Sequence, residues 1–201
     1  MPTMLIEPVE PVVQAPTGPR RKTWTREEVA ALAESGALNV ERLELVEGEL
    51  LDKMGKNRSH VLVQHQIAMI LAEVFGIARV TIESTLEVAN IDRRSNEPVP
   101  DLVVTHREAR FYRNTPLPEE ASHVVEVSDT SLRYDLTTKA ALYARAAVIE
   151  YWVADLNNRT LIVHRQPENG RYASVTVYSA DESVSPLAAP TSSVAVSSLF
   201  P

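Results

Sequence analysis

Apolar positions along the chain fall into two kinds of pattern, one helical and one strand-like. From Ser59 to Phe75 an apolar stripe recurs at Val63, Ile67, Ile70, Leu71 and Val74, the spacing of one helix face, with Gly76 at the stop. Thr25-Arg-Glu-Glu-Val starts a shorter helix, in which Thr25 can cap with Glu28 three residues on and Gly36 ends the run. Dense β-branched runs at Val80–Val88, Asp101–Thr105 and His123–Ser128 predict strands, with the proline-bearing segments 98–100 and 116–118 between them. Asp135 to Ala147 is the second long helical stretch. Ile149–Asp155, Thr160–Arg165 and Tyr172–Tyr178 follow as strands, the first two joined in a hairpin at Asn157-Asn158. Leu43 to Lys53 reads as another hairpin, turning at Glu47-Gly48. Val194, Val196 and Phe200 fall on one face at a strand period, allowing one last edge strand. Strands and helices intermix, so the expected fold is α+β: a mixed sheet flanked by helices.

Residues 1–22 hold five of the thirteen prolines and show neither period. They are expected to form a disordered arm ahead of a single domain over 23–201. At 201 residues the chain is long enough for a substantial core. No stretch reaches the roughly 18 apolar residues needed to span a bilayer, and the N-terminal residues lack the pattern of a secretory signal. With no cysteine, disulfides and thiolate metal sites are excluded, and a cytoplasmic location is the expectation. The net charge of −7 counts against a broad non-specific nucleic-acid surface, although Arg20, Arg21 and Lys22 cluster, as do Arg107, Arg110 and Arg113.

Chemistry concentrates in two of the strand runs. Asp101 opens one and Glu126 sits near the end of another, and a carboxylate in such a run needs a cation, a proton or a metal beside it. Two carboxylates on neighbouring strands make a hard, oxygen-rich site of the kind Mg²⁺ or Mn²⁺ prefers. Asp135, Lys139 and Tyr143 fall at i, i+4 and i+8, on one helix face that the short link from Glu126 can fold back over the strand ends. An ammonium there can orient a water or stabilise charge on a phosphorane-like transition state. The plainer alternative is an exposed Asp135–Lys139 pair on a helix surface.

Together, Glu44-Leu-Val-Glu-Gly48-Glu-Leu, Pro100-Asp101-Leu-Val-Val, Val125-Glu126-Val127-Ser128-Asp-Thr-Ser131-Leu-Arg-Tyr-Asp135, Lys139, Leu142-Tyr143-Ala144-Arg145 and Ile149-Glu-Tyr-Trp-Val-Ala-Asp155 resemble the Uma2 (DUF820) family of the PD-(D/E)xK restriction-endonuclease-like fold. The resemblance spans about residues 23 to 180. It implies Asp101 and Glu126 as metal ligands, with the Val127 carbonyl as a third. It also implies a divalent-metal-dependent endonuclease acting on nucleic acid, DNA first, and more weakly a homodimer. Ser128 stands where the general nuclease pattern has lysine, and the resemblance implies that Lys139 has taken over that role. Glu44 matches an upstream acidic position that could ligate a second metal or orient water; an outward-facing strand charge is the alternative. His60 falls where the resemblance places a histidine at a helix start. A second departure is Ala147-Val148, where relatives carry a small turn with glycine.

Other signals are discounted. His60 and His65 lack same-face metal spacing, and His106, His123 and His164 have no ligand partners in sequence. Trp24 and Trp152 read as core or interface anchors, and Glu97 as a solvated charge. Two functions compete with the nuclease: a non-catalytic binding or regulatory module that kept the fold, and a metallohydrolase of small phosphoesters.

Overall fold

The computed structural model describes residues 21–53 and 56–201. Residues 1–20 of the expected arm lie outside the described residues. Helix α1 (Arg26–Glu34) starts in a capping box: the Thr25 hydroxyl accepts the Glu28 N–H, and the Glu28 carboxylate accepts the Thr25 N–H. A hairpin of β1 (Leu43–Val46) and β2 (Glu49–Asp52) follows. Its turn residues Glu47 and Gly48 both have positive φ, 51° and 74°, as the favoured tight hairpin turn requires. Helix α2 (Arg58–Phe75) is capped by Asn57, whose side chain accepts the His60 N–H at 2.8 Å, and ends at Gly76 (φ 90°). Of the expected stripe it buries Val63, Ile67 and Leu71 and half-buries Ile70 and Val74, and Phe75 joins them in the core.

Six strands form the main sheet in the order β3 (Val80–Ile82), β4 (Leu102–Thr105), β5 (Ala121–Ser128), β6 (Glu150–Asp155), β7 (Thr160–Glu168) and β8 (Arg171–Tyr178). Neighbours are antiparallel except β5 and β6, which run parallel. A parallel pair needs a crossover, and the helical segment between them supplies it. That segment is not one regular helix. A turn, α3 (Leu132–Tyr134), leads into a wider π-type stretch over Asp135–Lys139 and then α4 (Ala140–Arg145). Asp135, Lys139 and Tyr143 nevertheless all face inward and are buried. Packing is two-sided. Helix α2 and the C-terminal residues Val184, Val194, Val196, Leu199 and Phe200 cover one face of the sheet, over Leu102, Val125, Val127 and Trp152. Ala140, Tyr143 and Ala146 cover the other, over Val103, Val124, Tyr151 and Val153. Strands β4, β5 and β6 are therefore buried at every position, which is why they read as unbroken apolar runs.

Two expectations need correction. The strand expected over Val80–Val88 stops at Ile82, because Glu83 turns to φ 51° and gives its N–H to the Asp101 carbonyl at 3.0 Å. Leu86 and Val88 are apolar because they reach the core from a loop. The C-terminal residues add no strand to the main sheet: β9 (Ser183–Val184) and β10 (Val194–Ala195) pair only with each other, and their side chains pack on its face. Strands β3 and β8 form the two edges of the main sheet. Among the described residues no helix is long and apolar enough to cross a membrane.

Candidate active site

Register brings the two acids together. Leu102 on β4 pairs with Val125 on β5, and one further step in the same antiparallel register sets Asp101 opposite Glu126. The Asp101 N–H lies 3.4 Å from Glu126 Oε2. Both residues are buried, at 2% and 3% exposure. Asp101 Oδ2 is fixed by the Val127 N–H at 2.7 Å, so what the structure shows of Val127 is its amide holding Asp101 in place. The Asp101 carbonyl accepts from the Gln64 amide at 3.1 Å, which ties the strand start to α2.

Lys139 reaches this pair from the π-type stretch. Its Nζ lies 2.9 Å from Glu126 Oε1 and 2.9 Å from Glu44 Oε1. Glu44 is therefore no outward-facing strand charge; it is buried, and its Oε2 accepts the Val99 N–H at 3.2 Å. Tyr143 adds a second donor to Glu126 Oε1 at 3.1 Å. The surface pairing of Asp135 with Lys139 does not occur. Asp135 Oδ2 instead accepts from the hydroxyls of Ser128 at 2.7 Å and Ser131 at 2.6 Å. Ser128, in the position where the general nuclease pattern has lysine, thus anchors the helix that delivers Lys139.

Two lysines and a histidine gather at Asp101 that the sequence did not flag, or flagged only in part. Lys56 Nζ lies 2.6 Å from Asp101 Oδ1, Lys53 Nζ 3.9 Å, and His60 Nε2 3.5 Å. The two lysines sit in the polar connection between β2 and α2, where no periodicity singles them out. Their one signal is position: they stand just ahead of the Asn57 cap, and so at the end of α2 that meets the strand ends. His60 Nε2 is buried and makes no hydrogen bond. Trp152, Tyr151 and His123 belong to the core rather than to the site, with His123 edge-on to Trp152 at 4.2 Å.

The paired acids, Glu44, Asp135, the three lysines and His60 line one cavity of about 480 Å³. Within it, four buried carboxylates (Glu44, Asp101, Glu126 and Asp135) meet three ammonium groups (Lys53, Lys56 and Lys139). The imbalance shows in the protonation of Glu126. Burial raises its pKa, Lys139 lowers it and the Asp101 charge raises it again, and the result is pushed up to about 8. Burial also opposes ionisation of Asp101, but His60, Lys53 and Lys56 outweigh it and hold this carboxyl well below the usual range. Burial alone would discharge Lys139; Glu126, Glu44 and Asp135 reverse that and keep it firmly an ammonium. One acid is thus ionised and the other short of positive charge.

That shortage, with hard oxygen donors on both sides of it, fits a divalent cation. Among the described residues no three carboxylates or imidazoles converge tightly enough to enclose an ion. Mg²⁺ and Mn²⁺ are commonly held by one or two carboxylates, with water completing the shell, so the dyad suits them better than it suits a metal needing an all-protein cage.

Residues 27–197 match the Uma2 family, described as "Putative restriction endonuclease", and the chain belongs to that family. Among solved structures it is similar to one described as "a putative nuclease belonging to DUF820" from Anabaena variabilis ATCC 29413, with 18% identity and a TM-score of 0.65 over 84% of this chain and 96% of that one. At that identity the likeness is one of fold, and it is the restriction-endonuclease-like fold expected from the sequence. No curated protein matches the chain.

Proposed function

We propose that this member of the Uma2 family is a divalent-metal-dependent endonuclease that hydrolyses phosphodiester bonds of nucleic acid, DNA first. The observation that supports the reading most directly is the pairing of Asp101 with Glu126 across β4 and β5, with Lys139 bonded to Glu126 from the crossover helix. Asp101 and Glu126 would hold Mg²⁺ or Mn²⁺, which when bound supplies Lewis-acid stabilisation of charge on the phosphate. The remaining work falls to the chain. The Val127 amide keeps Asp101 in one rotamer. The Lys139 ammonium, held by Glu126 and Glu44, is preorganised to stabilise developing negative charge or to orient the attacking water, an arrangement commonly worth two or three orders of magnitude in rate. Tyr143 fixes the Glu126 carboxylate by donating to the same oxygen that Lys139 holds. Glu44 either positions Lys139 or accepts a proton from the attacking water. Every part of this set is present and mutually bonded, which favours an enzyme over a module that merely kept the fold.

A homodimer acting in the cytoplasm completes the proposal. The strand β8 is free on its outer edge among the described residues, and Tyr172–Tyr178 carries neither charge nor proline, so nothing discourages pairing with a second copy. Nicking of supercoiled plasmid DNA, compared in Mg²⁺, Mn²⁺ and Ca²⁺, tests the activity. Cleavage is expected with Mg²⁺ or Mn²⁺ and not with Glu126→Ala. Equal cleavage by that variant, or cleavage in excess chelator, would sink the reading.

A further inference from the structure

Asp101 uses its two oxygens differently. Oδ2 is committed to the Val127 backbone, and Oδ1 faces the cavity and carries Lys56 at 2.6 Å. Lys56 differs from Lys139 in how it is held. Lys139 issues from a helical segment, is almost fully buried and is clamped between two buried carboxylates. Lys56 issues from the connection ahead of α2, and its second partner is Glu83, again at 2.6 Å, whose side chain is 49% exposed. Glu83 is also held by Gln64 at 3.3 Å, so it remains in place to receive an ammonium that leaves Asp101. Lys53 has less freedom, since its Nζ is bonded to the Val99 carbonyl.

We infer that Lys56 is a substrate-phosphate contact which, in the metal-free protein, is held on the Asp101 oxygen left open for a cation. The inference rests on the nuclease reading above. Once Asp101 Oδ1 serves a divalent cation, an ammonium at hydrogen-bond distance from the same oxygen is repelled by it. The nearest other anions are Glu83 and, with substrate present, the phosphate backbone entering the cavity. Lys56 therefore keeps Asp101 neutralised while the site is empty and transfers its charge to the substrate when the site fills.

Two readouts test this besides turnover. Calorimetric titration with Mn²⁺ should show Lys56→Gln binding the ion about two- to fivefold more tightly than the unmodified protein, the scale of one partly exposed ion pair that no longer competes. Asp101→Asn should lose binding. Fluorescence anisotropy with a labelled DNA duplex in Ca²⁺ should show Lys56→Gln binding more weakly, its log K against log salt slope reduced by about one. Lys56→Met serves as a second variant, and circular dichroism of both should match the unmodified protein. Unchanged Mn²⁺ affinity, an unchanged salt slope, or an equal Mn²⁺ gain in Lys53→Gln would overturn the assignment to Lys56 while leaving the nuclease reading standing. Failure of the unmodified protein to take up Mn²⁺ would instead sink both.

Discussion

Replacing Lys139 by methionine keeps the volume and removes the charge, which isolates what the ammonium does for the fold. In the native protein Lys139 faces Glu126 and Glu44, each at 2.9 Å, and all three are buried. Breaking a buried ion pair from one side leaves uncompensated carboxylates and costs about 3–5 kcal/mol. For a chain of this size each kcal/mol shifts Tm by about 2–4 °C, so metal-free Lys139→Met should melt roughly 10 °C lower. The size of the loss should depend on pH. Glu126 has its native pKa pushed up to about 8, above its ordinary value, so between about pH 4.5 and 8 the native state holds a proton the unfolded state has lost, and its stability falls as pH rises. Without Lys139 that native pKa rises further, and the variant goes on losing stability above pH 8 where the unmodified protein has stopped. Lys139 itself has its native pKa raised, so its contribution is fully present at pH 9 and is lost only on more alkaline titration. The gap between the two proteins should therefore be wider at pH 9 than at pH 6. Urea denaturation in chelator at both values, with Glu44→Gln and the Glu44→Gln/Lys139→Met double variant, completes the measurement. The double variant should be more stable than the sum of the single effects by about 1–3 kcal/mol. A loss under about 1 kcal/mol at pH 9, a gap independent of pH, or strict additivity would refute the picture of Lys139 as the buried counter-charge.

Ala147 sits at φ 59° at the exit of α4, a conformation that favours glycine, so Ala147→Gly should raise stability by about 0.5–1 kcal/mol after the entropic cost of glycine is subtracted, read as a higher Tm. His123 is fully buried beside Trp152; burial, aided by Arg165 and opposed by Glu150, pulls its pKa down to about 4. Stability should therefore be lost as pH falls from about 6.5 to 4, at up to about 1.4 kcal/mol per pH unit, and His123→Phe should flatten that part of the urea-midpoint profile. Light scattering at micromolar concentration should give twice the 22.3 kDa chain mass. A lysine introduced at Val175, exposed on the β8 edge strand, should return the monomer, and a mass near that of one chain across a tenfold dilution would rule the dimer out.

How far the sequence was legible follows from which forces act locally. The α2 stripe was readable because a helix burying one face against a sheet must repeat every three or four residues, and Val63, Ile67 and Leu71 do. Asp101 and Glu126 stood out because acids in apolar runs are expensive, and both prove to be buried in the chain's two-sided sheet. Helical spacing put Asp135, Lys139 and Tyr143 on one face, and that face points inward even though the backbone widens to a π-type stretch at Asp135–Lys139. Lys53 and Lys56 were missed because they lie in a connection, where no period links a residue to a face and where a lysine usually means solvent. The early end of β3 was hidden for a similar reason: a glutamate at positive φ, as at Glu83, has no local signature. At the C-terminus, Val194, Val196 and Phe200 gave the right period for the wrong partner, since apolar alternation reports burial and not which surface provides it.

The site also shows why these pieces come from so many places in the chain. The acids must be held rigidly, and they sit at adjacent ends of β4 and β5, where each backbone is fixed by a ladder on either side. The cations arrive from outside the sheet: Lys139 on the crossover between β5 and β6, and Lys53 and Lys56 on the link into α2, with the His60 imidazole on the first turn of α2. A cation bonded within the sheet would be fixed as firmly as the acids and could only neutralise them. Cations carried on covering elements can be graded, with Lys139 clamped by two carboxylates and Lys56 shared with the half-exposed Glu83. That grading gives one ammonium a fixed place beside Glu126 and leaves another able to follow the charge as it enters the cavity.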